Sequence, residues 1–183
     1  EKFSDRRFKI ISFYKSFHGR TLGALSATAQ EEKQKIFEPL VEGFDYAVLN
    51  DIDSVMKKID DCTCAVLVEP IQGEGGINIA GKDFMEKLRG ICIEKNILLI
   101  LDEVQTGFGR TGNMFAYQGL GIEPDILVLA KSIGGGMPLG AIIADEKISS
   151  VFTPGSHGST FGGNAASCAA GCAVIDYIVK KRL

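Results

Sequence analysis

Ile97-Leu98-Leu99-Ile100-Leu101-Asp102-Glu103 sets five consecutive aliphatic residues directly before two carboxylates. A strand wetted on one side alternates apolar and polar residues, and this stretch does not alternate. It therefore reads as a strand buried on both faces. Ile126-Leu127-Val128-Leu129-Ala130 and Cys64-Ala65-Val66-Leu67-Val68 have the same character. Residues 83–95 separate two of these runs, with Phe84, Leu88, Ile91 and Cys92 at helical spacing and charges opposite. Buried strands alternating with helices predict an α/β fold: a mainly parallel sheet flanked by helices. Further strands are predicted at 9–13, 44–49 and 141–144, and further helices at 19–29, 51–59 and 165–180. The last starts after Asn164, a good N-cap.

The bulk properties agree with a folded domain. The chain has 183 residues, of which 45% are hydrophobic and 23% charged. That much apolar surface offsets the entropy of ordering the chain and excludes intrinsic disorder. A net charge of −3 shows no basic excess, which argues against a nucleic-acid partner. The 97–101 run is only strand-sized, so no membrane span is expected. Five cysteines (Cys62, Cys64, Cys92, Cys168 and Cys172) are an odd number at no disulfide-framework spacing. They fit a reducing, cytoplasmic setting, although an organellar leader stays open because the sequence begins at Glu1. The 22 glycines point to tight turns or to close approach of backbone to a ligand.

In open parallel sheets, ligands bind beyond the carboxyl ends of the strands. Asp102 stands at one such end, where a carboxylate must be paired or hydrogen-bonded; an ion pair, a cap or a site role all satisfy that need. Glu103 must face the other side of the sheet, so the two form no acid/base dyad. Lys131 stands at another strand end, before Ser132-Ile133-Gly134-Gly135-Gly136. Burial there would favour a neutral, nucleophilic amine, whereas a snorkelling lysine would need no function. A third stretch, Ser156-His157-Gly158-Ser159-Thr160-Phe161-Gly162-Gly163-Asn164, runs into a helix N-terminus, as a phosphate site or an ordinary cap would. Gly107-Phe108-Gly109-Arg110-Thr111-Gly112 matches the dinucleotide spacing, but Asp-Glu-Val-Gln intervenes after the strand and no full helix opens there. His18 and His157 read as hydrogen-bonding residues. Cys62 and Cys64, two apart, make no zinc site.

Taken together, the motifs resemble class III pyridoxal-phosphate aminotransferases of the fold-type-I group. The matching stretches are Phe17-His18-Gly19-Arg20-Thr21-Leu22-Gly23, Glu69-Pro70-Ile71-Gln72-Gly73-Glu74-Gly75-Gly76 and the segment 101–112. Ala130-Lys131-Ser132-Ile133-Gly134-Gly135-Gly136 and the segment 157–164 complete the set. The resemblance implies pyridoxal 5′-phosphate as cofactor, bound by Lys131 as a Schiff base; the freed lysine then shuttles a proton. It implies Asp102 at the pyridinium nitrogen, Phe17 and Val104 against the two ring faces, and Gln105 on the phenolic oxygen. Thr160, with Ser159 beside it, would reach the phosphate of a partner subunit's cofactor, making a homodimer part of the mechanism. Arg20 would hold the substrate carboxylate, Glu74 would stand near the distal end of the substrate, and Glu69 would be structural.

The implied reaction moves an amino group from an ω-amino donor to 2-oxoglutarate by ping-pong chemistry. N-Acetylornithine is the favoured donor, with ornithine, 4-aminobutyrate and putrescine as alternatives. A racemase or aminomutase on the same scaffold, or an inactive piece that keeps only the fold, are the competing readings. Residues 1–183 correspond to the central part of the family's cofactor-binding large domain. The family's N-terminal phosphate-binding turn and C-terminal small domain are expected outside this chain.

Overall fold

The structure, a computed structural model, describes residues 6–183. Strand β1 (Lys9–Phe13) is followed by helices α1 (Leu22–Ala27) and α2 (Glu31–Gln34) and a 3-10 turn. Then come β2 (Phe44–Ala47), α3 (Ile52–Met56) and β3 (Thr63–Val68). A short antiparallel hairpin, β4 (Ile71–Gln72) and β5 (Asn78–Ile79), leads to α4 (Lys82–Glu94) and β6 (Leu98–Asp102). Helix α5 (Ala116–Leu120), β7 (Ile126–Leu129), a 3-10 turn (Lys131–Gly134) and β8 (Ala141–Ala144) follow. Helices α6 (Glu146–Ser149) and α7 (Ala165–Lys181) complete the chain.

The main sheet has the order β2-β1-β3-β6-β7-β8. Its first five strands are parallel, and β8 runs antiparallel to β7. The carboxyl ends of β1, β3, β6 and β7 therefore emerge along one edge, which is where the topology can build a site.

One face of the sheet holds the main core. Ile11, Phe13, Val66, Val68, Leu99 and Leu101 pack there against Phe84, Met85, Leu88 and Cys92 of α4. The Phe13 and Phe84 rings meet edge to face with centroids 5.8 Å apart, a favoured aromatic geometry. The helical spacing read in 83–95 is the buried stripe of α4. The opposite face is covered less completely: Ala65, Leu98 and Ile148 are buried, while Ile10, Ile100 and Ile126 are half-buried around them. Strands expected to be buried on both sides are thus sealed on one side and partly open on the other.

Two caps act as their side chains predict. Asp51 Oδ1 accepts the Ser54 N–H at 3.0 Å to start α3, and Asn164 Oδ1 accepts the Ser167 N–H at 3.1 Å to start α7. The helix expected over 19–29 is shorter, confined to Leu22–Ala27. Residues on either side of it are drawn into side-chain hydrogen bonds that hold a loop at the site.

Candidate active site

The carboxyl ends of four parallel strands supply one small cavity. Phe17, His18 and Gly19 come from the loop after β1, Glu69 and Glu74 from the segment after β3, Asp102, Val104 and Gln105 from β6 onwards, and Ala130 and Lys131 from the end of β7. Its volume is about 220 Å³.

Asp102 is the last residue of β6 and is held at both oxygens. Oδ1 accepts the Val104 N–H at 3.0 Å, a local turn that aspartate favours. Oδ2 lies 2.8 Å from Nδ1 of His18, with side-chain exposures of 8% and 3%. The other imidazole nitrogen, Nε2, is buried without a hydrogen-bond partner among the described residues. Glu103 points to the opposite side, as strand alternation requires. Its carboxylate accepts the Ala116 and Tyr117 N–H groups at 2.7 and 2.8 Å and the Thr106 hydroxyl at 3.1 Å. Glu103 thereby satisfies the start of α5, and burial pushes its carboxyl up.

The loop that carries Phe17 and His18 has no regular structure, so side chains fix it. The Phe17 N–H donates to Glu69 Oε2 at 3.0 Å, and the His18 N–H donates to Thr28 Oγ1 at 2.9 Å. Gly19 has φ +138°, and a Cβ there would stand 2.9 Å from Ala24 Cβ. Only glycine combines that backbone angle with so close a helix.

Glu69 was read as a structural residue, and it does anchor the Phe17 loop. It also lines the cavity and is only 6% exposed. Burial is the main cause that pushes its carboxyl up to about 8. The Phe17 N–H opposes that shift, Asp102 and Glu74 add to it, and Lys131 works against it.

The remaining predicted site residues divide into two groups. Lys131, Val104 and Gln105 line the cavity beside Asp102. Lys131 is exposed rather than buried and adopts φ +49°, where the chain leaves β7 for the 3-10 turn. Of the two settings left open for this lysine, buried or reaching to the surface, the exposed one describes it: β7 ends at Leu129 and Lys131 opens the 3-10 turn. Gln105 packs its amide so closely on Gly73 that a Cβ at Gly73 would overlap it. Glu74 lines both this cavity and an adjoining groove beside Lys15 and Gln30.

Arg20 is not among the lining residues. Its guanidinium carbon stands 5.5 Å from the centroid of the Phe17 ring, and Lys33 Nζ stands 5.2 Å from the same centroid. Ser159 and Thr160 do not reach the Lys131 cavity within this chain. Both are exposed, and Ser159 lines a separate depression of about 620 Å³ with Leu129, Ile142, Phe152 and His157. The Gly107–Gly112 stretch forms turns stapled by the Phe108 N–H to the Met114 carbonyl, and no helix opens from it.

The family model "Aminotransferase class-III" matches residues 1–183. The chain belongs to the class III aminotransferase family. Among curated members of this family, an acetylornithine aminotransferase of Aquifex aeolicus is 59% identical over 95% of the chain and 46% of its own length. One from Methanocaldococcus jannaschii is 51% identical over 93% of the chain and 43% of its own length. Among solved structures, an ornithine aminotransferase from Toxoplasma gondii, described with partial occupancy of PLP at its active site, superposes with a TM-score of 0.93. It is 34% identical, with 99% of this chain and 43% of that one covered. The chain thus spans less than half the length of these class III relatives. No helix among the described residues is long and apolar enough to cross a membrane.

One feature of the site had no local signal in the sequence. The His18–Asp102 pair joins residues 84 positions apart, and only the sheet order, which sets the β1 and β6 ends on either side of β3, brings them together.

Proposed function

We propose that this chain forms the central, cofactor-holding part of a pyridoxal 5′-phosphate-dependent aminotransferase acting on an ω-amino donor. N-Acetylornithine is the preferred donor and 2-oxoglutarate the acceptor. The observation that carries the reading is a single cavity lined by Lys131, Asp102, Phe17, Val104 and Gln105, in a chain whose named relatives are acetylornithine aminotransferases.

The residues fit the group. A lysine and a doubly held carboxylate line one cavity of about 220 Å³, with apolar side chains beside them. The bound cofactor supplies an aldehyde carbon and an electron-withdrawing ring. Lys131 would hold that carbon through its amine, the aldehyde oxygen leaving as water, and as the free amine would carry a proton. Asp102 would hold a proton on a ring nitrogen, with His18 and the Val104 N–H fixing its two oxygens. Phe17 and Val104 would confine the ring, and Gln105 would donate to its phenolic oxygen. Arg20 binds the substrate carboxylate through its planar fork, and Glu74 faces the distal end of the substrate. Ser159 and Thr160 would act across a homodimer interface on the phosphate of a partner's cofactor, since neither lines the cavity of its own chain.

Borohydride trapping with pyridoxal 5′-phosphate followed by peptide mapping tests this directly. A pyridoxyl group on Lys131 is the expected result, and an unmodified Lys131 in cofactor-saturated protein overturns it. Dependence of N-acetylornithine consumption on 2-oxoglutarate separates transamination from racemase or aminomutase chemistry, which needs no keto acid.

A further inference from the structure

Glu69 is a cavity-lining acid to which the proposed chemistry gives no task. It stands just past the end of β3, and among the described residues its carboxyl makes one hydrogen bond, from the Phe17 N–H to Oε2. No lysine or arginine pairs with it there. A buried carboxylate normally needs a cation or several donors, and Glu69 has one amide. The charged and titratable groups around it come from each neighbouring segment. They are Asp102 after β6, with His18 from the β1 loop beside it, Glu74 from the β4–β5 turn, and Lys131 after β7. Two are carboxylates, so a third negative charge at Glu69 is opposed from two sides.

We propose that Glu69 is a positioning residue that serves this site as a neutral acid. One carboxyl oxygen clamps the Phe17 loop, and the O–H of the other points to the cavity. The inference deepens the reading of the cavity as a pyridoxal 5′-phosphate site and rests on it. A bound cofactor adds phosphate and phenolate oxygens and displaces water, so ionising Glu69 in the loaded site opposes more negative charge in drier surroundings. By linkage, a cofactor that binds best to the neutral acid must lose affinity as Glu69 ionises. Burial, which pushes this carboxyl up to about 8, places that loss in the mildly alkaline range.

The test is the Kd for pyridoxal 5′-phosphate from pH 6.5 to 9 in the full-length protein and its Glu69→Gln variant. Glutamine keeps a carbonyl oxygen for the Phe17 N–H and stays neutral throughout. The parent-to-variant Kd ratio is expected to double by about pH 8 and to reach about 10-fold at pH 9. A difference infrared spectrum of the ligand-free proteins at pH 6.5 should show a protonated-carboxyl band in the parent that the variant lacks. A flat Kd ratio, or no such band, overturns the inference. Borohydride trapping keeps the two readings apart. If Lys131 is labelled but the ratio is flat, Glu69 has no such role; if Lys131 is not labelled, the cofactor reading itself fails.

Discussion

Nδ1 of His18 and Oδ2 of Asp102 lie 2.8 Å apart at the floor of the cavity, both almost wholly buried. The contact gives Asp102 a second fixed oxygen, so its carboxylate has little freedom to rotate away from a ligand above it. Among the described residues the imidazole in turn has this carboxylate as its sole side-chain partner, since Nε2 makes no hydrogen bond there.

His18→Ala should therefore destabilise the chain by about 1–3 kcal/mol, because a buried carboxylate oxygen loses its donor. It should also weaken pyridoxal 5′-phosphate binding. Chemical denaturation and fluorescence titration measure the two effects, and unchanged values in both would mean the contact is incidental.

Asp102→Asn should leave the fold intact, because asparagine can still accept the Val104 N–H and fills the same volume. It cannot hold a proton on a ring nitrogen. Turnover in the full-length enzyme is expected to fall by at least about 100-fold, with an unchanged circular dichroism spectrum.

Gly73→Ala tests the turn that packs on Gln105. The new methyl overlaps the Gln105 amide, and a flexible side chain moves more readily than backbone. If Gln105 has its proposed role, the loss of its hydrogen bond to the cofactor is worth about 1 kcal/mol, or roughly fivefold in Kd. The unfolding midpoint should hardly change. A large loss of stability would show that the backbone, rather than Gln105, had given way.

The pH dependence of ligand-free stability follows from two buried carboxyls. Burial pushes Glu69 from an ordinary 4.5 up to about 8, and pushes Glu103 in the same direction. Between those two values the native chain holds protons that the unfolded chain has lost, so stability falls as pH rises. The favourable contribution is complete below pH 4.5 and gone above about pH 8. Glu69→Gln should remove its share of this slope, on the order of 5 kcal/mol over the whole range. Denaturant titrations at a series of pH values give the slope.

Much of this architecture was legible in the residues. Aliphatic runs without alternation marked β3, β6 and β7, and the carboxylate and amine that terminate two of them marked the cavity. Elements resting on few residues were not legible. The β4–β5 hairpin has two residues per strand, too few for any periodicity, and is held by Gln72 and Asn78 side chains through their 3.1 Å hydrogen bond. Nothing in Ala141–Ala144 encodes direction, so the reversal of β8 had to come from tertiary pairing. The second role of Glu69 was hidden for a similar reason: Glu69-Pro70 before a glycine turn reads as punctuation, and only its approach to Phe17, 52 residues away, places it in the cavity.

The separation of His18 from Asp102 along the chain also bears on how the cavity comes into being. Contacts this distant in sequence are slow to form, since a long loop must close before they return any free energy. In a folding experiment, substitutions on the cavity floor should leave the refolding rate nearly unchanged and accelerate unfolding, the signature of interactions absent from the transition state. Pyridoxal 5′-phosphate would then meet a finished pocket rather than help to nucleate one. It would lengthen the lifetime of the native chain without hastening its birth.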